Sequence, residues 1–123
     1  MPARKGERLT SKRWRFYRTP AGTDVVKDEL TALGVNAKAA VVDAMKRLSK
    51  QEHMPYEQEH IEGRLQAVRV FYDGCTYRAL YASVGNHDEV LLALHVVNKK
   101  SRKLPLTAKR KALKRLKDWE SRD

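Results

Sequence analysis

The chain has one cysteine, Cys75, in 123 residues. A disulfide framework and a multi-thiolate zinc site are therefore excluded. No apolar run approaches the roughly 20 residues that a membrane-spanning helix needs. The opening stretch from Met1 to Arg8 lacks the apolar segment of a secretory signal. A reduced, cytoplasmic setting without membrane contact is the expectation. Neither a glycine-rich dinucleotide fingerprint nor a phosphate-binding loop with Gly-Lys-Ser/Thr is present, so nucleotide-cofactor binding has no support. His53, His60, His87 and His95 never stand four residues apart on a helix, and no metal and no cofactor are expected. The length suits one domain and leaves no room for a dinucleotide domain with a second domain beside it.

Basic charge is abundant: 26 Lys and Arg against 15 Asp and Glu give a formal net charge of +11. Its distribution is uneven. Residues 1–18 hold seven Lys or Arg and one acid, Glu7, while residues 98–117 hold ten and no acid. The remainder is mildly acidic. Clustered charge of one sign raises the local potential and draws a polyanion, whereas dispersed charge serves solubility. A basic terminus alone is commonly a solvated tail. The second block, however, follows an apolar strand directly and carries helical spacing. Nucleic acid, or an acidic protein that masks the basic surface, is the expected partner.

Residues 1–12 show no apolar periodicity and are expected to form a basic flexible arm ahead of a single domain over 13–120. Trp14, Phe16 and Tyr17 mark a short strand. Val26, Leu30 and Leu33 share a helix face, ended by Gly34, and Asn36 is positioned to cap a second helix with Val41, Ala44, Met45 and Leu48 on one face. The polar segment 51–63, with Pro55, reads as a loop. Leu65–Tyr72, Thr76–Val84 and Glu89–Val97 then alternate with Asp73-Gly74 and Gly85-Asn86, the pattern of a three-stranded antiparallel meander. Val90 to Leu94 is apolar throughout, which predicts a strand covered on both faces. Pro105 and Thr107 open a basic helix with Ala112, Leu116 and Trp119 on one face. The expected fold class is α+β: a small antiparallel sheet of N-terminal strand plus meander, an N-terminal helical hairpin and a C-terminal helix.

The residues left to carry chemistry are mainly cations. Arg69 and Arg78 sit in adjacent strands of the meander, His95 near the end of the third, and Lys99 and Lys100 at its exit. Adjacent strands lie about 4.8 Å apart, so these groups can converge on one patch. A buried arginine paired with a helix acid such as Asp28 or Glu29 is the structural alternative for either one alone. Together with Lys99 and Lys100 they suit a phosphate. The corresponding chemistry is attack of a ribose 2′-hydroxyl on its adjacent phosphate, where fixed cations stabilise the developing charge without a metal. Tyr81 or His95 would serve as base or acid, although each has a plain structural role open to it as well. Arg102, Lys103, Lys109 and Arg110 extend the basic surface as RNA-binding candidates. Cys75, in a turn, is expected to be a bystander.

Several motifs resemble those of the RelE/ParE superfamily of toxins from bacterial type II toxin–antitoxin systems, with the phage-derived HigB-like branch nearest. They are Leu65-Gln66-Ala67-Val68-Arg69, Tyr77-Arg78-Ala79-Leu80-Tyr81, Leu94-His95-Val96-Val97-Asn98-Lys99-Lys100, Leu104-Pro105 and Ala112-Leu113-Lys114-Arg115. With Trp14-x-Phe-Tyr they run in the family's order from residue 14 to about residue 119. The resemblance implies a RelE-like fold and a toxin that cleaves mRNA on the ribosome as a metal-independent endoribonuclease. It also implies a cognate antitoxin, a helix-turn-helix protein through which alone the toxin meets DNA. Arg69, Arg78, Lys99 and Lys100 carry over as the groups that hold the phosphate. The chain departs from the pattern at Ala67, where the family has Glu, and at Val97, where it has Phe. Residues 104–112 contain neither Tyr nor His, so the proton donor must come from elsewhere. ParE-like relatives keep the fold and inhibit DNA gyrase instead, and an accessory nucleic-acid-binding domain is a third reading.

Overall fold

The first element is a four-residue strand, β1 (Arg13–Phe16), of which Trp14 and Phe16 face inward and the arginines outward. This computed structural model describes residues 12–99 and 103–122. The expected basic arm lies outside the described residues except for Lys12, whose N–H donates to the Ser49 carbonyl at 2.9 Å. Two helices follow, α1 (Val25–Thr31) and α2 (Val35–Ser49). The first ends at Thr31, and Gly34, expected to end it, is instead the N-cap of the second, with a φ of 96° in the region that only glycine enters freely. Asn36 is therefore inside the first turn of α2 rather than its cap. Helix α2 buries Val41, Ala44, Met45 and Leu48, the 3.6-residue stripe read from the sequence, and Ala37 with them.

The segment expected to be a loop is half structured. A 3-10 turn, Pro55–Glu57, leads directly into a strand, β2 (Gln58–Glu62). Its sequence, Gln-Glu-His-Ile-Glu, hides the strand because an edge strand of this sheet needs no apolar face. Three longer strands complete the sheet: β3 (Leu65–Tyr72), β4 (Cys75–Val84) and β5 (Val90–Lys99). Asp73-Gly74 forms the two-residue hairpin between β3 and β4, with φ of 52° and 75° as the twist-matched turn requires. Helix α3 (Leu106–Glu120) closes the chain and buries Ala108, Ala112 and Leu116.

The strand order is β1-β5-β4-β3-β2. The α+β class stands, with one correction: β1 runs parallel to β5, so the sheet is mixed rather than antiparallel throughout. Strand polarity is set by where a crossover delivers the chain, which the hydropathy of four residues does not encode. Val90 to Leu94 are all buried, as expected of a strand covered on both sides. Leu94 is an extra residue in β5, a bulge between the pairs Tyr81↔Ala93 and Leu80↔His95. Helix α2 packs on β3, and the indole of Trp14 bonds to the Met45 carbonyl at 2.7 Å, which fixes α2 on the Trp14 face. Helices α1 and α3 pack against β5.

Candidate functional site

The register of the sheet decides which polar side chains meet. Arg69 of β3 and Arg78 of β4 are paired directly, so both side chains leave the same face. Glu59 of β2 pairs with Ala67, two residues before Arg69, and shares that face. Its carboxylate stands between the two guanidinium groups. Oε1 accepts from Arg78 Nε at 2.9 Å, and Oε2 lies 3.9 Å from Arg69 Nη1. The Arg78 side chain is 1% exposed while those of Glu59 and Arg69 are 28% and 29% exposed. A charge so deeply placed is tolerable only with a partner, and Glu59 supplies one. The expected counter-ion was an acid of the helices. The actual one comes from the strand that was read as a loop.

Arg69 is tied on its outer side as well. Its Nε donates to the Tyr56 carbonyl at 3.2 Å, and its Cζ sits 5.6 Å from the centre of the Phe71 ring. Lys99 takes the register position opposite Thr76, two residues along β4 from Arg78. The Lys99 side chain, Lys100 and Arg102 lie outside the described residues. Lys103 is exposed, and Lys109 is ion-paired to Glu62 at 2.7 Å. Arg110 is exposed on α3 and lines, with Tyr17, Lys111 and Lys114, an open groove of about 620 Å³.

Tyr81 is not brought to this cluster. Three residues from Arg78 on one strand, it leaves the other face. It is 1% exposed, edge-on to Trp14 at 5.3 Å. Its hydroxyl accepts from Gln58 Nε2 at 2.8 Å and donates to Gln66 Oε1 at 3.3 Å. Burial raises its pKa, and the Gln58 bond offsets part of that rise.

His95 pairs with Leu80, on the arginine face, but is engaged elsewhere. Its Nδ1 donates to Glu29 Oε1 at 2.8 Å, the Val96 N–H donates to the same oxygen at 3.1 Å, and Arg115 Nη1 lies 3.0 Å from Glu29 Oε2. Burial pushes the Glu29 carboxyl up, but the His95 bond, the Val96 bond and the nearby charges outweigh it and the net shift is downward. Glu29 thus caps the edge of β5 where β1 has already ended. No group of three His, Cys, Asp or Glu with metal-binding geometry occurs among the described residues. Among the described residues no helix is long and apolar enough to cross a membrane.

Chemically, the cluster offers a carboxylate that can take a proton and a guanidinium that can hold a phosphate oxygen. Sequence reasoning found both arginines and missed Glu59. The only available signal was its alternation with Gln58 and His60 just before a Gly63 turn, which without an apolar face is weak.

Residues 28–117, nearly three quarters of the chain, match the family model described as phage derived protein Gp49-like (DUF891). The match takes in β2 to β5, with Glu59, Arg69, Arg78, Tyr81 and His95. No curated protein matches the chain.

Proposed function

The chain belongs to the Gp49-like family of phage-derived proteins, which is of toxin–antitoxin type and related to RelE toxins, and on that premise we propose that it is an endoribonuclease toxin of the HigB-like kind that cuts mRNA at the ribosome. The observation that carries the reading is the Glu59 carboxylate held between Arg78 and Arg69 on one sheet face. In-line attack of a 2′-oxygen on phosphorus breaks the bond to the 5′-oxygen and leaves a 2′,3′-cyclic phosphate and a 5′-hydroxyl. Glu59 takes the 2′-hydroxyl proton. Arg69, the more exposed guanidinium, holds the phosphate oxygens as their charge grows, and Lys99 and Lys100 are assigned to assist it on the family resemblance. Arg78 reaches the substrate only through Glu59 and acts as a positioning residue. The leaving 5′-oxygen needs a proton, for which His95, bonded through Nδ1 to Glu29, and Lys99 or Lys100 are the candidates. Membership of a toxin–antitoxin family implies a cognate antitoxin, and the basic surface of α3, free of acids up to Lys117, is what an acidic segment of it would cover.

Primer-extension mapping of mRNA ends after induction tests the proposal. New, discrete ends are expected, abolished by Arg78→Ala and by Lys100→Ala while both variants still bind the antitoxin. Intact mRNA with broken chromosomal DNA would instead place the chain with gyrase-directed toxins.

A further inference from the structure

Two large aromatic rings are left in solvent beside the arginine cluster. Tyr56 is 51% exposed and Phe71 59% exposed, their ring centres 6.3 Å apart and their planes 30° from parallel. Both rings are presented by fixed backbone. Tyr56 rides on the 3-10 turn, which Pro55 starts and Glu57 pins from below. The Glu57 side chain is buried, accepting from the Met54 N–H at 2.9 Å and from Arg47 Nε at 3.1 Å. The Tyr56 carbonyl is in turn held by Arg69. Phe71 follows Arg69 by two residues on β3, so the two side chains leave the same face, with the guanidinium over the ring.

From this geometry we infer that Tyr56, Phe71 and Arg69 form a stacking platform for one nucleobase of a single-stranded RNA whose phosphate lies at the arginine cluster. The inference rests on the reading of the chain as an RNA-directed protein and adds where the base goes. Flat groups in contact lie about 3.5 Å apart, so a ring inserted between two others needs a separation of about 7 Å. The present 6.3 Å is short of that by less than an ångström, and the tilt already opens the pair on one side. The cleft of about 450 Å³ beside the rings is also lined by Val70, by the mutually neutralised pair Arg47–Glu57 and by Asp43, so its remaining charge is negative and an uncharged occupant suits it better than a phosphate. A base satisfies this, and its phosphate falls toward Arg69. Every base has a π-face, so the platform binds without reading sequence.

The test is a fluorescence anisotropy titration of the full chain with a single-stranded 2′-O-methyl RNA decamer, which lacks the attacking hydroxyl and stays intact. Inorganic polyphosphate, a polyanion without bases, is titrated in parallel. Phe71→Ala is expected to weaken decamer binding roughly tenfold or more and to leave polyphosphate binding unchanged. Phe71→Trp should keep the decamer affinity. Because Phe71 is exposed, an unchanged thermal midpoint verifies that the variants fold. Decamer affinity that Phe71→Ala and Tyr56→Ala leave untouched, or equal losses on both ligands, overturns the platform. Failure of the wild-type chain to bind the decamer overturns it too. Mapping mRNA ends with the same variants separates the two readings. Cleavage by the wild type with ring-independent decamer binding leaves the endoribonuclease standing and removes the platform. Ring-dependent binding without cleavage does the reverse.

Discussion

Arg69 and Arg78 stand directly opposite each other on neighbouring strands, an arrangement of like charge that costs stability unless a counter-charge reaches both. Glu59 is that counter-charge, and its two roles are separable by substitution. Glu59→Gln keeps the shape and part of the hydrogen bonding but removes the charge beside a buried guanidinium. We expect it to lower unfolding stability by about 1–3 kcal/mol in urea and to reduce mRNA cleavage by roughly a hundredfold or more. Tyr81→Phe is the matched contrast. It removes a hydroxyl bonded to Gln58 and Gln66 on the other face, so it should cost about 1 kcal/mol of stability and leave cleavage in place. Loss of cleavage in Tyr81→Phe at unchanged stability would return Tyr81 to the site.

At the scale of elements, two acids hold pieces of structure that hydropathy does not. Glu29 ties α1 to the open edge of β5 through the Val96 N–H and His95, and Glu57 ties the 3-10 turn to α2 through Arg47. Burial opposes ionisation of Glu29 but is outweighed, chiefly by the His95 bond; the Arg47 bond is the main cause at Glu57. Both carboxyls end below their ordinary range. A carboxyl whose folded pKa is depressed contributes stability that is full above its unfolded value, roughly 4.3, and is lost as pH falls through the folded one. Stability followed by circular dichroism should therefore drop steeply on the acid side of pH 4.3, and Glu29→Gln or Glu57→Gln should flatten that limb while lowering stability at pH 7. An acid limb as steep in both variants as in the wild type would mean that neither contact governs it. Helix α2 illustrates the complementary case, since its stripe from Val41 to Leu48 was readable at a glance and is buried as read.

For the whole molecule, the net charge of +11 comes from two basic blocks, residues 1–18 and 98–117, and the second of them runs through α3. Arg110, Lys111, Lys114 and Lys117 are exposed on that helix. Such a surface binds single-stranded RNA by releasing counter-ions, and the logarithm of affinity falls linearly with the logarithm of salt, with a slope near 0.7 per phosphate neutralised. Changing Arg110 and Lys114 together to Ala should lower that slope by roughly 1–2, whereas Phe71→Ala should lower affinity at every salt concentration with the slope unchanged. A double variant that keeps the wild-type slope removes α3 from the RNA path.

Local chemistry in the sequence determined most of the elements. Asp73-Gly74 sets a hairpin because both residues accept positive φ, and the stripes of α2 and α3 set two buried helix faces because 3.6-residue spacing lines up apolar side chains. The arginines, too, were conspicuous as charges inside apolar strands. Strand β2 was invisible, because a polar edge strand buries no continuous face, and Glu59 was hidden with it. What only the tertiary structure decided is pairing across distance. Glu59 meets Arg78 across 19 residues, β1 aligns parallel to β5, and His95 is drawn to Glu29 across 66 residues. A residue's type and its neighbours in sequence fix its own conformation. Which charge it ends beside depends on strand register and crossover, and those are set by how the whole sheet and its helices pack at once.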